Sequence, residues 1–407
     1  MTHVDVAIIG AGAAGVGAAR TLAASGQSIL LIEASDRVGG RAHTVTLDGH
    51  PHDMGCGWLH SAERNPWVAV AEAAGHAIDR SPNSWGEQYR DLGFAPADQA
   101  AAGQAYDAFE QRLRSAPFAS DRAADALEPG GVWNGFIDAL SGYINGANLS
   151  ALSVRDYLAY DDAASEVNWR LPGGYGTLVA GSLPPVPLVL ACPVTALDLS
   201  GGTVRLDTPR GTIEAARVIV TVSTTVLASD AIRWPAALDQ HRHAAAMLPL
   251  GLADKLFLAL DEPDDIAADK HLLGNPRSAN TGSYYLRPFG RPVIECFYGG
   301  CSAEALEREG LNGAAAFAID ELVALLGSAM RPRLRLIAGS AWARTTYVGG
   351  SYSHALPGQH DARDMLARPL DDRLFFAGEA CSTADFSTAH GALATGIAAA
   401  EAALASF

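Results

Sequence analysis

The sequence predicts an α/β protein built around a parallel sheet, and two stretches of the chain support that prediction. Near the N-terminus the apolar run Val4–Ile9 precedes a glycine-rich turn, a helical pattern to about Ser25 and a second apolar run, Ile29–Ile32. Near the C-terminus Leu374–Phe376 is another such run, and a helix to about Ala405 follows it. Strands that alternate with helices are typical of parallel sheets, because parallel strands need a crossover connection.

The length and composition indicate a folded protein of two or three domains. The chain has 407 residues, of which 49% are hydrophobic and 18% charged, as in ordinary globular proteins. Lys and Arg number 29 against 45 Asp and Glu, which gives a net charge of −16. Such a charge repels phosphate backbones, so we expect no nucleic-acid partner.

The cysteines and the chain ends indicate a cytoplasmic protein. The five cysteines show no C-x-x-C spacing, so the sequence predicts neither a disulfide framework nor a zinc site. His241 and His243 have no further candidate ligands nearby in the sequence, and we expect no metal. The N-terminus lacks the basic segment of a signal peptide, and no apolar run reaches about 18 residues. We therefore expect no membrane association.

The N-terminal glycines predict a dinucleotide site. Gly10 permits a tight turn, Gly12 lets the backbone approach a pyrophosphate, and Gly15 lets the helix pack closely on the strand. The start of that helix, around Ala14, supplies free N–H groups and a positive dipole to the phosphates. Glu33, at the end of the second strand, would accept hydrogen bonds from a ribose. These residues leave open whether the dinucleotide is NAD or FAD.

The residues that follow Glu33 carry a family resemblance. The pattern Glu33-x-x-x-Arg37-x-Gly39-Gly40-Arg41 resembles the extended FAD fingerprint of the flavin-containing amine oxidases, the group of monoamine and polyamine oxidases. Two arginines offer fork-shaped donors to a diphosphate, and the glycine pair lets the backbone come close. The resemblance implies an FAD-binding, Rossmann-like domain of the glutathione-reductase type, interleaved with an α+β substrate domain.

Further matches along the chain extend this resemblance. Val194 corresponds to a position whose backbone contacts adenine, and Glu379 would hold the ribityl or pyrophosphate region. A helix N-terminus at Thr388 and Ala389 would stabilise negative charge on the reduced flavin ring. The cofactor-binding residues implied in this way are Gly10, Gly12, Ala14, Gly15, Glu33, Arg37, Gly40, Arg41, Gly57, Trp58, Val194, Trp342, Gly378, Glu379, Thr388 and Ala389.

Three residues are candidates for catalysis. Lys255 lies inside an apolar strand pattern and is one of two lysines in the chain, the other being Lys270. Buried lysines are rare without a partner and tend to lose their proton, and the family has a lysine here that binds a water near flavin N5. A lysine on an edge strand that reaches solvent or pairs with Asp254 is the alternative. The resemblance also implies Tyr352 as an aromatic-cage residue and His60 as a residue near the amine.

The sequence departs from the monoamine oxidases at two places. Ser351 stands where those enzymes tether the flavin through a cysteine, so we expect FAD to be bound non-covalently. Thr388 stands at the second wall of the aromatic cage in place of a tyrosine, with Phe386 nearby. These departures favour the polyamine-oxidase branch.

The interleaved arrangement predicts five chain segments. The FAD-binding domain would comprise residues 1–75, 170–235 and 336–407, and the substrate domain would comprise residues 76–169 and 236–335. A ligand site is expected at the junction of the two domains.

The reaction that the resemblance implies is oxidation of an amine to an imine, with hydride transfer to flavin N5 and reoxidation by O2 to give hydrogen peroxide. The partners are then a small-molecule amine and O2, and the oligomeric state is left open, with a homodimer as one option. Oxidation of the neutral amine predicts an alkaline pH optimum. The alternatives are a desaturase or dehydrogenase of a non-amine substrate on the same scaffold, and a flavin-binding protein without turnover.

Overall fold

The computed structural model describes residues 2–115 and 119–407. The strands are β1 Thr2–Ile9, β2 Ile29–Ile32, β3 Thr44–Leu47, β4 His50–Asp53, β5 Trp58–Leu59, β6 Trp169–Arg170, β7 Leu188–Val189, β8 Ala196–Asp198, β9 Val204–Thr208, β10 Gly211–Val220, β11 Ala253–Leu260, β12 Lys270–Leu273, β13 Ser283–Leu286, β14 Val293–Gly299, β15 Leu334–Gly339 and β16 Leu374–Phe376. The α-helices are α1 Ala13–Leu22, α2 Pro66–Ala73, α3 Pro96–Ser115, α4 Asn134–Asn145, α5 Val154–Ala163, α6 Tyr175–Gly181, α7 Thr224–Ala228, α8 Asp239–Ala246, α9 Cys301–Leu326, α10 Ala362–Leu366 and α11 Ala389–Ala405.

The first sheet has seven strands and a parallel centre. Strands β7, β2, β1 and β10 are neighbours in that order, and β16 pairs in parallel with the last residues of β10. The first residues of β10 pair antiparallel with β9, which in turn pairs with β8. The carboxyl ends of β1 and β2 therefore meet at one edge of the sheet, where ligands bind in open α/β sheets.

Two strands of this sheet are defined by pairing with distant parts of the chain. β10 is continuous from Gly211 to Val220 because it pairs with β1 along nearly its whole length. β7 pairs in parallel with β2, which lies far from it in the sequence. Local apolar patterns do not reveal pairings across such long stretches of chain.

The second sheet has five antiparallel strands in the order β12, β13, β14, β11, β15. One face packs against α9 through residues that include Leu256, Leu258 and Tyr298. Because side chains alternate between the two faces of a strand, the residues between them face away from α9. That second face contributes to the cavity described below.

Helices α1 and α11 cross against each other with almost no side-chain space between them. A Cβ placed on Gly396 would lie 2.0 Å from the carbonyl oxygen of Ala14, and one on Gly17 would lie 2.7 Å from that of Leu393. Glycine at these two positions allows the helix backbones to touch. The crossing fixes the start of α1 relative to the C-terminal helix.

The strands of the seven-stranded sheet come from residues 2–32, 188–220 and 374–376, and those of the five-stranded sheet from residues 253–339. The five segment boundaries given above stay a prediction. Across residues 2–115 and 119–407, no helix has the length and apolar character needed to cross a membrane.

Candidate active site

A cavity of about 1090 Å³ extends from the carboxyl ends of β1 and β2 to the five-stranded sheet. Lys255, Tyr352 and His60 all line it, and so do the predicted cofactor-binding residues with one exception. Gly15 does not line the cavity. A Cβ at Gly15 would lie 1.9 Å from the carbonyl oxygen of Gly10, so this glycine is required for the close packing of α1 on the turn.

The glycine turn leaves the N-terminus of α1 open to a ligand. Gly10 has a φ of +105°, a conformation that favours glycine. Gly12 is the N-cap of α1, and no side chain caps the helix there, so the N–H groups of the first turn face the cavity unsatisfied. Glu33 lies beside the turn, where its Oε2 accepts a hydrogen bond of 2.7 Å from Ala11 N.

Two arginines face the same end of the cavity. Nη1 of Arg37 is buried without a hydrogen-bond partner, and burial lowers the pKa of Arg37 despite the nearby Glu33 and Asp36 carboxylates. Nη1 of Arg41 is 2.8 Å from Glu379 and also donates to the carbonyl oxygen of Ser351. A guanidinium with one buried, unpartnered nitrogen beside an open helix N-terminus fits the diphosphate of a dinucleotide such as FAD.

Glu379 is a buried carboxylate that ties several cavity walls together. It accepts hydrogen bonds from Arg41, from the Ser353 hydroxyl at 2.6 Å and from the Ser387 backbone at 3.0 Å. Burial opposes its charge, but Arg41 and Ser353 outweigh that effect and the pKa of Glu379 is lowered. Both of its oxygens are thus engaged by the protein, and its geometry serves to orient Arg41.

The start of α11 and Tyr352 line a further part of the cavity. Thr388 is the N-cap of α11, and its hydroxyl accepts a hydrogen bond from Gly391 N. The Tyr352 hydroxyl donates to the carbonyl oxygen of Tyr143 at 2.6 Å. Phe386, which lies close to Thr388 in the sequence, does not line this cavity, because its ring packs against the Arg363 guanidinium at 3.6 Å.

The floor of the cavity is one face of the five-stranded sheet. We define the cavity floor as Lys255, Ser283, Tyr285, Glu295 and Phe297. The strand register places Phe297 opposite both Lys255 and Ser283, and Glu295 opposite Tyr285. All five side chains therefore share one face of the sheet.

Lys255 forms an ion pair with Glu295, with 2.8 Å between Nζ and Oε1. The alternative of an edge-strand lysine that reaches solvent or pairs with Asp254 was wrong. β11 is an inner strand between β14 and β15, and the Lys255 side chain is 8% exposed. Asp254 lies on the other face, where its Oδ1 accepts hydrogen bonds from Ser340 and Trp342. Burial works against the charged lysine, but Glu295 outweighs it, so the pKa of Lys255 is raised above its ordinary value.

His60 is held by Asn168. Nδ1 of His60 lies 2.7 Å from Oδ1 of Asn168, whose amide nitrogen donates to the Glu166 carbonyl oxygen. Because the Asn168 amide oxygen can only accept, Nδ1 of His60 carries the proton and Nε2 is left as an acceptor. Burial lowers the pKa of His60 to about 4, so the ring is neutral.

Aromatic rings line the cavity on the side of His60. The Trp58 ring lies 4.5 Å from that of Trp85 and 6.0 Å from that of Tyr285. The guanidinium of Arg170 is 5.2 Å from the Trp58 ring and forms salt bridges with Asp79 and Asp269. A pocket walled by rings suits an amine with an apolar body.

Several residues that line the cavity were not predicted from the sequence, notably Asn168, Arg170 and Glu295. Asn168 and Arg170 reach the site because β6 pairs with β5 and so brings this segment beside His60. Glu295 lies in an otherwise apolar strand, Val293–Gly299. A carboxylate in such a strand is unusual, and this is the local signal in the sequence that could have identified Glu295 as a functional residue.

Comparisons with known proteins agree with this geometry. Residues 87–404 match the family model of the flavin containing amine oxidoreductases, and residues 8–72 match that of an NAD(P)-binding Rossmann-like domain. Polyamine oxidase 2 of Arabidopsis thaliana is 28% identical over 98% of this chain and 87% of its own length. Polyamine oxidase 3 of rice, Oryza sativa subsp. japonica, is also 28% identical, over 97% of this chain and 88% of its own length.

A solved structure of putrescine oxidase bound to putrescine is similar in fold. The two structures superpose with a TM-score of 0.80 at 19% sequence identity, and the match covers 98% of each chain. At this identity the likeness concerns the fold. It extends over both sheets.

Proposed function

The chain belongs to the family of flavin-containing amine oxidoreductases, and from that premise we propose that it is an FAD-dependent oxidase of a small-molecule amine. The observation that carries the proposal is a buried lysine, Lys255, in the same cavity as a dinucleotide cradle that includes Arg37 and Arg41. A lone glycine turn would support only dinucleotide binding. The lysine and the aromatic walls add a place for the substrate.

The glycine turn, Glu33, Arg37 and Arg41 would hold the adenosine and diphosphate of FAD, and Lys255, Trp342 and the start of α11 would surround its ring. When bound, FAD accepts a hydride from the substrate and passes the electrons to O2, which yields hydrogen peroxide. Ser351 offers no thiol for a covalent link, and its hydroxyl bonds to the backbone of Ala253. This supports non-covalent binding.

The protein's own groups would bind and orient the amine. His60 presents an unprotonated Nε2, which can accept a hydrogen bond from an amine N–H. Tyr352 offers a ring face, and the aromatic walls exclude water around the carbon that loses hydride. A neutral histidine and an apolar wall favour the neutral form of the amine, which supports the expected alkaline pH optimum.

A polyamine is the substrate class that we propose first. Both named relatives are polyamine oxidases, and the cavity is lined on the substrate side by the carboxylates Glu87, Asp161 and Glu166 as well as by rings. Methylene stems would lie along the rings while distal ammonium groups meet carboxylates. We further propose a cytoplasmic location, which the five free cysteines support.

An anaerobic titration of the purified yellow protein with spermidine, putrescine, phenethylamine and amino acids tests the function. We expect one amine class to bleach the flavin band, and peroxide to appear when air is admitted. If dithionite bleaches the flavin and none of the amines does, the amine assignment is wrong. A desaturase or dehydrogenase acting on a non-amine would then take its place.

A further inference from the structure

The contact between Lys255 and Glu295 joins a buried ammonium group to a partly buried carboxylate. The side chains are 8% and 22% exposed, respectively, and both belong to the cavity floor. Charges that meet away from solvent are screened far less than a surface pair. Such a pair has a strong effect on the protonation of both partners.

We infer that Glu295 is a positioning residue that holds Lys255 as an ammonium ion, with Nζ fixed at the cavity floor. A buried lysine without an anion tends to give up its proton, because burial disfavours the charged form. Glu295 supplies both the compensating charge and a charge-assisted hydrogen bond. Lys255 then acts as a hydrogen-bond donor with a fixed positive charge, and not as a base.

The backbone on both sides of this pair is fixed. The Lys255 N–H donates to the Ser340 hydroxyl at 2.9 Å, and the Ser340 N–H donates to the Lys255 carbonyl oxygen at 2.9 Å. Glu295 lies on the adjacent strand β14, diagonally from Lys255 in the register. Two hydrogen-bonded strands therefore set the separation of the charges, which distinguishes this pair from a contact between flexible surface side chains.

The other ionisable groups near Lys255 cannot replace Glu295. Asp53 acts on Lys255 through its charge but does not hydrogen-bond it, since its oxygens accept hydrogen bonds from the Thr44 hydroxyl and the backbone of Tyr175 and Gly176. Burial raises the pKa of Cys56 to about 12, so the thiol is neutral. His52 and His60 are neutral because burial lowers the pKa of each to about 4. Arg291 is a second cation near His52 and Glu295. Among the described residues, Glu295 is the anion that hydrogen-bonds Lys255.

The chain permits a direct measurement because it contains only two lysines, Lys255 and Lys270. Lysine labelled with carbon-13 at Cε gives two NMR signals in the holoenzyme, which a Lys270→Arg variant assigns. A pH titration then compares wild type with Glu295→Gln and Glu295→Asp. The matched control is Glu87→Gln, because Glu87 is the partner of the more exposed Lys270 at 2.9 Å.

We expect the titration midpoint of Lys255 to fall by about two pH units or more in Glu295→Gln. Glu295→Asp keeps the charge and should restore most of the wild-type midpoint. Glu87→Gln should leave the Lys255 midpoint unchanged. An equal midpoint in wild type and Glu295→Gln would overturn the inference.

A second measurement covers the case in which Glu295→Gln does not fold well. In a double-mutant cycle, Lys255→Met should lower the melting temperature less in a Glu295→Leu background than in the wild type, because an unpaired buried charge is then no longer created. If the two substitutions lower the melting temperature additively, Lys255 and Glu295 are not coupled and the inference is wrong. Neither experiment needs turnover, so each stands whether or not the proposed amine oxidation is correct.

Discussion

At the scale of single residues, the site depends on which face of a strand a side chain occupies. Asp254 and Lys255 are neighbours in the sequence, yet they lie on opposite faces of β11 and have opposite surroundings. Lys255 faces the cavity and Glu295, whereas Asp254 faces Ser340, Trp342 and the buried Glu307. Strand β11 thus places the Lys255 ammonium on the cavity side of the sheet and the Asp254 carboxyl group on the other side.

Replacing Lys255 by methionine should slow the reaction while leaving the fold in place. Met has a similar length but carries no charge and donates no hydrogen bond, so the support for charge developing at the cavity floor is lost. We expect reoxidation by O2 in stopped-flow experiments to slow by about ten-fold or more. The control is Lys270→Met, which removes the other lysine. A rate equal to that of the control would exclude a role for Lys255.

Asp254 should make stability depend on pH. Burial, together with the nearby Glu307, raises the pKa of Asp254 to about 7. The folded protein then holds a proton that the unfolded chain releases near pH 4, so this group lowers stability as the pH rises from about 4 to about 7. Asparagine cannot ionise and removes that loss.

We therefore compare the free energy of unfolding of Asp254→Asn with that of wild type. The difference should grow in favour of the variant by on the order of 2 kcal/mol when the pH is raised from 5 to 8. Chemical denaturation at the two pH values measures this. Asp107, exposed in the middle of α3, provides the control variant Asp107→Asn. A difference from wild type that is the same at both pH values would contradict the assignment.

At the scale of elements, close contacts between backbones place the dinucleotide end of the cavity. Helix α1 lies against the turn after β1 through Gly15 and against α11 through Gly17 and Gly396. Each contact is shorter than any Cβ would permit. The position of the open helix N-terminus is thus set by three glycines that themselves do not line the cavity.

Substituting Gly396 by alanine should push α1 and α11 apart, because the new Cβ would lie 2.0 Å from a backbone oxygen of α1. We expect a loss of about 1–3 kcal/mol in unfolding free energy and weaker FAD binding, since Ala14 moves with α1. Gly103, inside α3 with nothing within 4 Å of its Cβ position, provides the control.

Thermal unfolding and flavin titration of the apoprotein measure these effects. Gly103→Ala should be neutral or stabilise by up to about 1 kcal/mol, through helix propensity alone. If both alanine variants behave alike, the close crossing does not position the cofactor end.

At the scale of the whole molecule, buried polar links connect α5 and α10 with the segment that follows β16 beside the cavity. Arg363 is fully buried and forms two hydrogen bonds, at 2.7 and 2.8 Å, with Asp156 of α5. The same guanidinium donates to Ser353, which in turn donates to Glu379. This chain of bonds connects a helix within residues 76–169 with a residue that lines the cavity.

The net charge of −16 should draw cationic substrates toward the cavity. For a polyamine, kcat/KM should fall as the salt concentration rises from about 0.01 M to about 0.5 M, since salt screens the attraction. A singly charged amine such as phenethylamine should show a smaller fall. Steady-state kinetics at constant pH test this, and equal salt effects for both amines would show that the overall charge does not steer the substrate.

The fold of the N-terminal dinucleotide motif was predictable because its signals are local. The strand, glycine turn, helix and acidic residue of the dinucleotide motif lie within residues 2–33, and the structure forms β1, α1 and β2 there as expected. A backbone requirement such as the positive φ of Gly10 is met by a single glycine, which is visible in the sequence. The sequence thus determined the fold class, the dinucleotide cradle and the family resemblance.

The partners of the catalytic candidates were decided by tertiary structure alone. Glu295 meets Lys255, and Asn168 meets His60, because of strand pairings between segments about 40 and 100 residues apart in the chain. Register, face and burial at such separations depend on how whole sheets assemble, and a single sequence carries no local trace of them. The residue types were visible in the sequence, but their charge states and contacts arise only where the chain folds back on itself.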